Sequence, residues 1–242
     1  MNLGTLYGIG VGPGDPTLIT VKGAAILSAT RWIFVPKPSA DGESLALSIA
    51  RRYLCADAEI VELVFPMATD SALLTARWSE SAQQVAAVLR KGENACFLTL
   101  GDPLLYSTWI YLRRALASVL PEAPTVTVPG ITAVAAAAAL TGLPLGEGKT
   151  PITIVPTAED MGVVRQALTT GGTVALMKIG RRLHDVLAVL SEYGALDRAT
   201  LVARAGLDGQ RIESDLRALQ PQDPEAGYLS VVLVAPSKQE SP

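Results

Sequence analysis

The stretch Leu3-Gly4-Thr5-Leu6-Tyr7-Gly8-Ile9-Gly10-Val11-Gly12-Pro13-Gly14-Asp15-Pro16 sets the frame for the chain. Residues 3–9 read as a strand, and the glycines of GVGPGD as a sharp turn. Asp15 is placed to cap, and Pro16 to begin, a helix running to residue 28. A strand passing through a glycine turn into a helix is the first half of a βαβ unit. Glycines at alternate positions also let the backbone approach a ligand closely, or simply make a tight turn. The dinucleotide fingerprint GxGxxG does not fit. Counting from Gly8, Gly10 or Gly12, its third glycine falls on Pro13, Asp15 or Thr17. No acidic residue ends the second strand to hold a ribose, because the chain there reads Val35-Pro36-Lys37-Pro38. No GK[ST] follows, so the turn is not a P-loop. Asp15 would also compete with a phosphate for the helix amides.

Outward from that turn, strands and helices alternate. Strands are expected at 31–35 (stopped by Pro36 and Pro38), 59–64 and 95–100. Helices are expected at 44–54, 71–90 and 106–118. The Pro121-Glu122-Ala123-Pro124 stretch reads as a linker. Beyond it come strands at 125–128, 151–155 and 173–177, a helix opened by PGITAVAAAAAL, and helices at 159–169 and 182–193. The end differs, with strands at 200–204, 210–215 and 228–234 following one another without a helix. The turn Gly206-Leu207-Asp208-Gly209 makes the first two a hairpin. The expected architecture is two α/β domains, 1–120 and 121–242, the first with a mostly parallel sheet and the second with a mixed sheet.

Composition bounds the chemistry. The chain has 242 residues, a net charge of −3, 49% hydrophobic and 18% charged residues, one His and two Cys. That is enough to bury a substantial core. His184 alone cannot supply a multi-histidine zinc site, and Cys55 and Cys96 form no CxxC, so no metal is expected. Two cysteines make no disulfide framework, which points to a reducing, cytoplasmic compartment. Without Lys/Arg runs, a mildly acidic chain is a poor nonspecific nucleic-acid binder. The first ten residues carry no basic side chain, so they do not read as a signal peptide. The apolar run at 131–143 is too short to span a bilayer, so no membrane partner is expected.

Two further turns lie at strand ends, where ligands of open parallel sheets bind. Gly101-Asp102-Pro103 could present Asp102 and backbone groups to a polar or cationic ligand, or cap the next helix. Pro129-Gly130-Ile131-Thr132-Ala133 opens a helix of small residues, which suits a flat ring or a close helix–sheet contact. Lys37, Lys178 and Arg204 also fall at strand ends; together they suit an anionic ligand. Tyr106 and Tyr228 are possible proton donors or packing aromatics. His184 reads as a surface or capping residue.

Taken in order, GVGPGDPTLITVKG, FLTLGDPLLYST, VPGITA, LMKIG and GYLSVVLV resemble the tetrapyrrole (corrin/porphyrin) methylases over essentially the whole chain. The resemblance implies two α/β domains with S-adenosyl-L-methionine in a cleft between them, S-adenosyl-L-homocysteine as product, and a homodimer. It implies cofactor contacts at Pro13, Gly101, Asp102, Leu105, Thr132, Ala133 and Met177, with Ala205 and Leu229 in a looser motif. Phe97–Pro103 followed by Leu105-Tyr106-Ser107-Thr108 resembles the subgroup that methylates C-20 of precorrin-2 or cobalt-factor II in cobalamin biosynthesis. So do Val35-Pro36-Lys37-Pro38, Gly42-Glu43-Ser44 and Phe65-Pro66-Met67. Uroporphyrinogen methylases carry a GGDP turn instead, and the C(11) and C(17) enzymes have Tyr-Gly where this chain has Tyr106-Ser107.

The implied reaction is direct displacement by a nucleophilic ring carbon, followed by loss of a proton. Holding two reactants in line is worth about 7–11 kcal/mol in model systems. Tyr106, Asp15 and Asp102 are candidate bases, and the proton can also leave to water. A substrate rich in carboxylates gives Lys37 and Arg204 a purpose. Two alternatives stand beside this reading: methylation at another ring position, and a noncatalytic nucleotide-binding regulatory module.

Overall fold

The computed structural model describes residues 2–37, 44–65, 71–157, 160–220 and 223–237. The proline-rich expectations at Pro38 and Pro66-Met67, and Gly42-Glu43, lie outside them. The chain forms two compact units, Met1–Thr132 and Ala133–Pro242.

In the first unit five strands, β1 (Leu6–Gly10), β2 (Trp32–Lys37), β3 (Glu59–Val64), β4 (Ala95–Thr99) and β5 (Thr125–Val128), lie in the order β3-β2-β4-β1-β5. Every pairing is parallel. Helices α1 (Val21–Ser28), α2 (Leu45–Ala50), α3 (Ser71–Leu89) and α4 (Trp109–Val119) connect them. Parallel strands covered on both faces read as continuous apolar runs, which is why ACFLT is buried throughout. Leu6, Phe34, Phe97, Leu89, Trp109, Leu112 and Leu116 form the centre of the core on one face.

Three expectations change here. The helix from Asp15 to Ser28 is two pieces. Asp15 caps a 3₁₀ turn at Pro16–Leu18, Ile19 is extended, and Thr20 starts α1 afresh by accepting from Gly23 N at 3.1 Å. A second capping residue five positions on offers the chain a better start. Next, β2 runs through Pro36 instead of stopping there. Arg31 and Lys37 offer their carbonyls to β3, so Pro36, out of phase with them, turns its missing N–H toward β4. Pairing with β4 ends at Phe34, so the proline costs no ladder bond. Finally, β5 pairs with β1, so the first unit continues past the expected division at residue 120.

The second unit contains α5 (Ala133–Thr141), β6 (Ile152–Pro156), α6 (Gly162–Leu168), β7 (Thr173–Met177), α7 (Leu183–Glu192), β8 (Ala199–Ala203), β9 (Arg211–Glu213), α8 (Pro224–Gly227) and β10 (Ser230–Val234). The sheet order is β6-β7-β10-β8-β9, with β6 and β7 parallel and the other pairings antiparallel. The sheet is therefore mixed, and β8–β9 is the expected hairpin. The short α8 interrupts the end that was expected to be helix-free. Strand side chains alternate between two buried faces. Val231 and Leu233 meet Val134, Ala136 and Ala137 of α5. Val232 and Val234 instead join Val164 of α6 and Val186 and Leu190 of α7.

Candidate active site

Strands β4, β1 and β5 are neighbours and parallel, so the turns that follow them leave the same end of the sheet side by side. They are also bonded together. Gly12 and Gly101 form an isolated antiparallel bridge, with Gly101 N donating to Gly12 O at 2.7 Å and Gly12 N to Gly101 O at 3.3 Å. Val11 N donates to Thr99 O at 3.0 Å. Asp102 ties in the third turn. Its Oδ2 accepts from Gly130 N at 3.1 Å, and its Oδ1 accepts from Leu104 N at 2.8 Å. Asp102 therefore does not cap α4, which begins seven residues later.

The glycines divide by purpose. A Cβ at Gly10 would lie 2.6 Å from Gly101 O, and one at Gly130 would lie 2.2 Å from the same atom. Both are bare because the three turns press on one another. Gly101 differs: its φ is +69°, and the nearest atom to an added Cβ would be Ile131 O at 3.9 Å. Gly101 is buried, yet its bare, left-handed backbone at the carboxyl end of a parallel sheet meets no atom closer than ordinary contact, which fits a closely approaching organic cofactor. Pro13 is buried beside it, Leu105 and Thr132 are half-buried, and Tyr106 is exposed with φ +53°.

Asp15 Oδ1 accepts from both Thr17 N and Thr17 Oγ1 at 2.7 Å. The Thr17 hydroxyl, followed by the Thr17 amide, holds its carboxyl below the usual carboxylate range, which makes Asp15 a poorer base. Cys96 is no nucleophile, since burial pushes its thiol up to about 12. His184 is exposed beside Asp185, as a surface residue would be. Tyr228 is exposed as well. Among the described residues no group of three His, Cys, Asp or Glu side chains could hold a metal ion.

In the second unit, the ends of β7 and β8 and the start of β10 share one edge, because β10 runs antiparallel to both. Met177 lies opposite Val231, and Ala203 opposite Ser230. The half-buried Met177 and Leu229 and the buried Ala205 are brought together there with Lys178 and Arg204, while the half-buried Ala133 opens α5. Lys37 lies in the first unit, its side chain only 7% exposed and its Nζ 2.9 Å from Glu62 Oε2.

Two residues of the site carry structural roles that the sequence did not assign to them. Ser107 Oγ lies 2.6 Å from Thr99 Oγ1 and accepts from Trp109 N at 3.1 Å. Trp109 Nε1 donates to Thr127 Oγ1 on β5 at 3.0 Å. A serine two residues before a helix's first apolar residue is a capping signal, and it was available.

The model of the Tetrapyrrole (Corrin/Porphyrin) Methylases matches residues 5–220, from the residue before β1 to beyond β9. The chain belongs to that family. Among relatives of this methylase, the cobalt-precorrin-2 C(20)-methyltransferase of Salmonella typhimurium is 35% identical over 231 residues, 96% of each chain. The precorrin-2 C(20)-methyltransferase of a Sinorhizobium species is 32% identical over 244 residues, 97% of this chain and 96% of the other. The uroporphyrin-III C-methyl transferase of Thermus thermophilus, solved with S-adenyl homocysteine, shares the fold at a TM-score of 0.63 and 21% identity, covering 96% of this methylase and 97% of that chain. Among the described residues of this methylase, no helix is long and apolar enough to cross a membrane.

Proposed function

We propose that this methylase transfers a methyl group from S-adenosyl-L-methionine to C-20 of precorrin-2 or its cobalt counterpart, in cobalamin biosynthesis. The observation that carries the reading is 35% identity, along nearly the whole length of both chains, to an enzyme named for that position. The proposed cofactor contacts are Pro13, Gly101, Asp102, Leu105 and Thr132 in the first unit. In the second they are Ala133, Met177, Ala205 and Leu229. When bound, the cofactor supplies a methyl group on a sulfonium sulfur, open to displacement by a nucleophilic carbon.

The chain's own work is placement. The Gly12–Gly101 bridge and the Asp102–Gly130 bond hold three turns in one arrangement before the cofactor arrives. Prior ordering of this kind reduces the entropy that binding must overcome. Each Asp102 oxygen accepts one backbone amide and keeps a lone pair for a ligand. Asp15 is occupied by Thr17 through Oδ1, so the proton lost after methyl transfer is assigned to water, with Asp102 and an ionised Tyr106 as the remaining candidate acceptors. Lys37 and Arg204 are the proposed contacts for the substrate's carboxylates. Alanine at both positions with KM unchanged at low salt would remove that assignment.

Incubation with precorrin-2 and with cobalt-factor II in parallel, locating the new methyl by NMR, tests the reading. A methyl at C-20 supports it, and one at another ring carbon replaces it. In calorimetry, tight binding of NAD with none of S-adenosyl-L-homocysteine would overturn it in favour of the noncatalytic alternative. We further propose a cytoplasmic homodimer. Light scattering that gives a clean 25.3 kDa monomer would refute the dimer.

A further inference from the structure

Four residues other than glycine hold left-handed backbone among the described residues, and three of them sit on one sheet edge of the second unit. Lys178 (φ 55°) directly follows β7, Arg204 (φ 52°) directly follows β8, and Leu229 (φ 51°) directly precedes β10. Arg204 N donates to Leu229 O at 3.0 Å, which closes the ladder at that end. With neighbouring strands about 4.8 Å apart, Lys178 and Arg204 leave the sheet roughly 10 Å from each other, flanking the start of β10. Glycine takes this conformation without steric cost, and the chain uses it two residues on in both cases, at Gly180 (φ 50°) and Gly206 (φ 74°). Side chains nevertheless stand at 178 and 204. Unfavourable backbone of this kind clusters at functional sites.

Both retained side chains are cations, and neither is in an ion pair among the described residues. Arg204 Nε donates to the carbonyl of Asp208 at 2.7 Å, which fixes the direction of the guanidinium. In the same unit Asp185 pairs with Arg182, and Asp223 with Arg211. Asp208, on the exposed hairpin turn, contributes only its carbonyl.

We infer that Lys178 and Arg204 form a two-point carboxylate clamp, with Lys178 a specificity-determining residue for a substrate bearing several carboxylates. This rests on the proposed tetrapyrrole substrate. The spacing suits two acid side chains on one rigid ring system, and a flexible single carboxylate needs only one of the cations.

The test is steady-state kinetics of K178M, K178R and K178G, with calorimetry of S-adenosyl-L-homocysteine on each. The expected result for K178M is an approximately tenfold rise in tetrapyrrole KM that flattens its salt dependence, with cofactor affinity within twofold of the unsubstituted enzyme. K178R recovers most of the loss. K178G loses as much as K178M while its Tm does not fall, which separates the side chain's role from that of the backbone. Unchanged KM in both K178M and K178G of an active enzyme overturns the clamp alone. Weakened cofactor binding at unchanged KM overturns it too, assigning Lys178 to the cofactor's carboxylate. An unsubstituted enzyme that methylates neither tetrapyrrole overturns the underlying reading and the clamp with it.

Discussion

The indole of Trp109 lies against the backbone of Gly8, so close that a Cβ added to the glycine would stand 2.4 Å from the ring. Trp109 is fully buried, stacks on Phe97 at 6.2 Å between centroids, and reaches β5 through Thr127. One side chain at the start of α4 thus spans β4, β1 and β5, the three strands whose turns make the candidate cofactor site. The first glycine of the opening motif serves this contact and not a ligand.

Gly8→Ala is therefore expected to destabilise the first unit by about 1–3 kcal/mol, the usual range for overpacking a filled core. Because the contact underlies all three turns, affinity for S-adenosyl-L-homocysteine should fall as well. Denaturant unfolding and calorimetry on the same preparation check both. An unchanged midpoint would mean that the indole moves aside freely.

Asp102 makes a second prediction. Its two oxygens join the turn after β4 to the turn after β5 and to its own amide neighbour. Asp102→Ala strips the acceptor from Gly130 N. On a half-exposed site this costs about 1 kcal/mol of stability. The larger expected effect is on binding, since the turns are no longer held in one arrangement before the cofactor arrives. A tenfold or greater loss of S-adenosyl-L-homocysteine affinity, with Tm lowered by only a few degrees, is the expected pattern. Equal affinity would show that Asp102 is merely a turn residue.

How far the sequence could be read follows from where each structural cause lies. Strands 59–64, 125–128 and 173–177 were legible residue for residue, because short apolar or alternating runs between breakers specify themselves. The site turns were legible as turns. That they bond to one another was not, since Gly12 and Gly101 are brought together only by the β1–β4 pairing. The division between units was misplaced for a related reason. Pro121 and Pro124 look like a linker locally, yet the strand after them completes the first sheet beside β1. Pro36 stopped a strand on paper because its harmless direction depends on where β4 ends. The left-handed backbone at Lys178, Arg204 and Leu229 leaves no residue-type signal at all, because the residue that would announce it is glycine.

Asp15 supplies a prediction with a sign. Thr17 holds its carboxyl below the unfolded value of about 3.9, so its contribution to stability is fully present above that pH. The contribution is lost as pH falls through the lowered folded value. Asp15→Asn should therefore lower Tm slightly at pH 6, and the gap to the unsubstituted protein should close as pH falls through the lowered folded value. In the same variant the pH profile of kcat/KM between 6 and 9 is expected to keep its shape, because a depressed, doubly hydrogen-bonded carboxylate is not the titrating base. A lost limb in that range would return Asp15 to the chemistry.

Lys37 and Glu62 form an unequal pair: the lysine side chain is 7% exposed and the glutamate 50%. Removing one partner of a buried pair leaves the other uncompensated, whereas an apolar replacement of the buried member can be neutral. Glu62→Gln, which withdraws the charge from the exposed side, is expected to cost about 1 kcal/mol, discounted for water reaching the glutamate. Lys37→Met should change stability by less than that. The two variants also separate the roles open to Lys37. If its ammonium reaches a substrate carboxylate, Lys37→Met raises tetrapyrrole KM at low salt and Glu62→Gln lowers it, because one carboxylate competing for the cation is withdrawn. If the pair serves only the β2–β3 edge, neither variant moves KM, and Lys178 and Arg204 carry the effect.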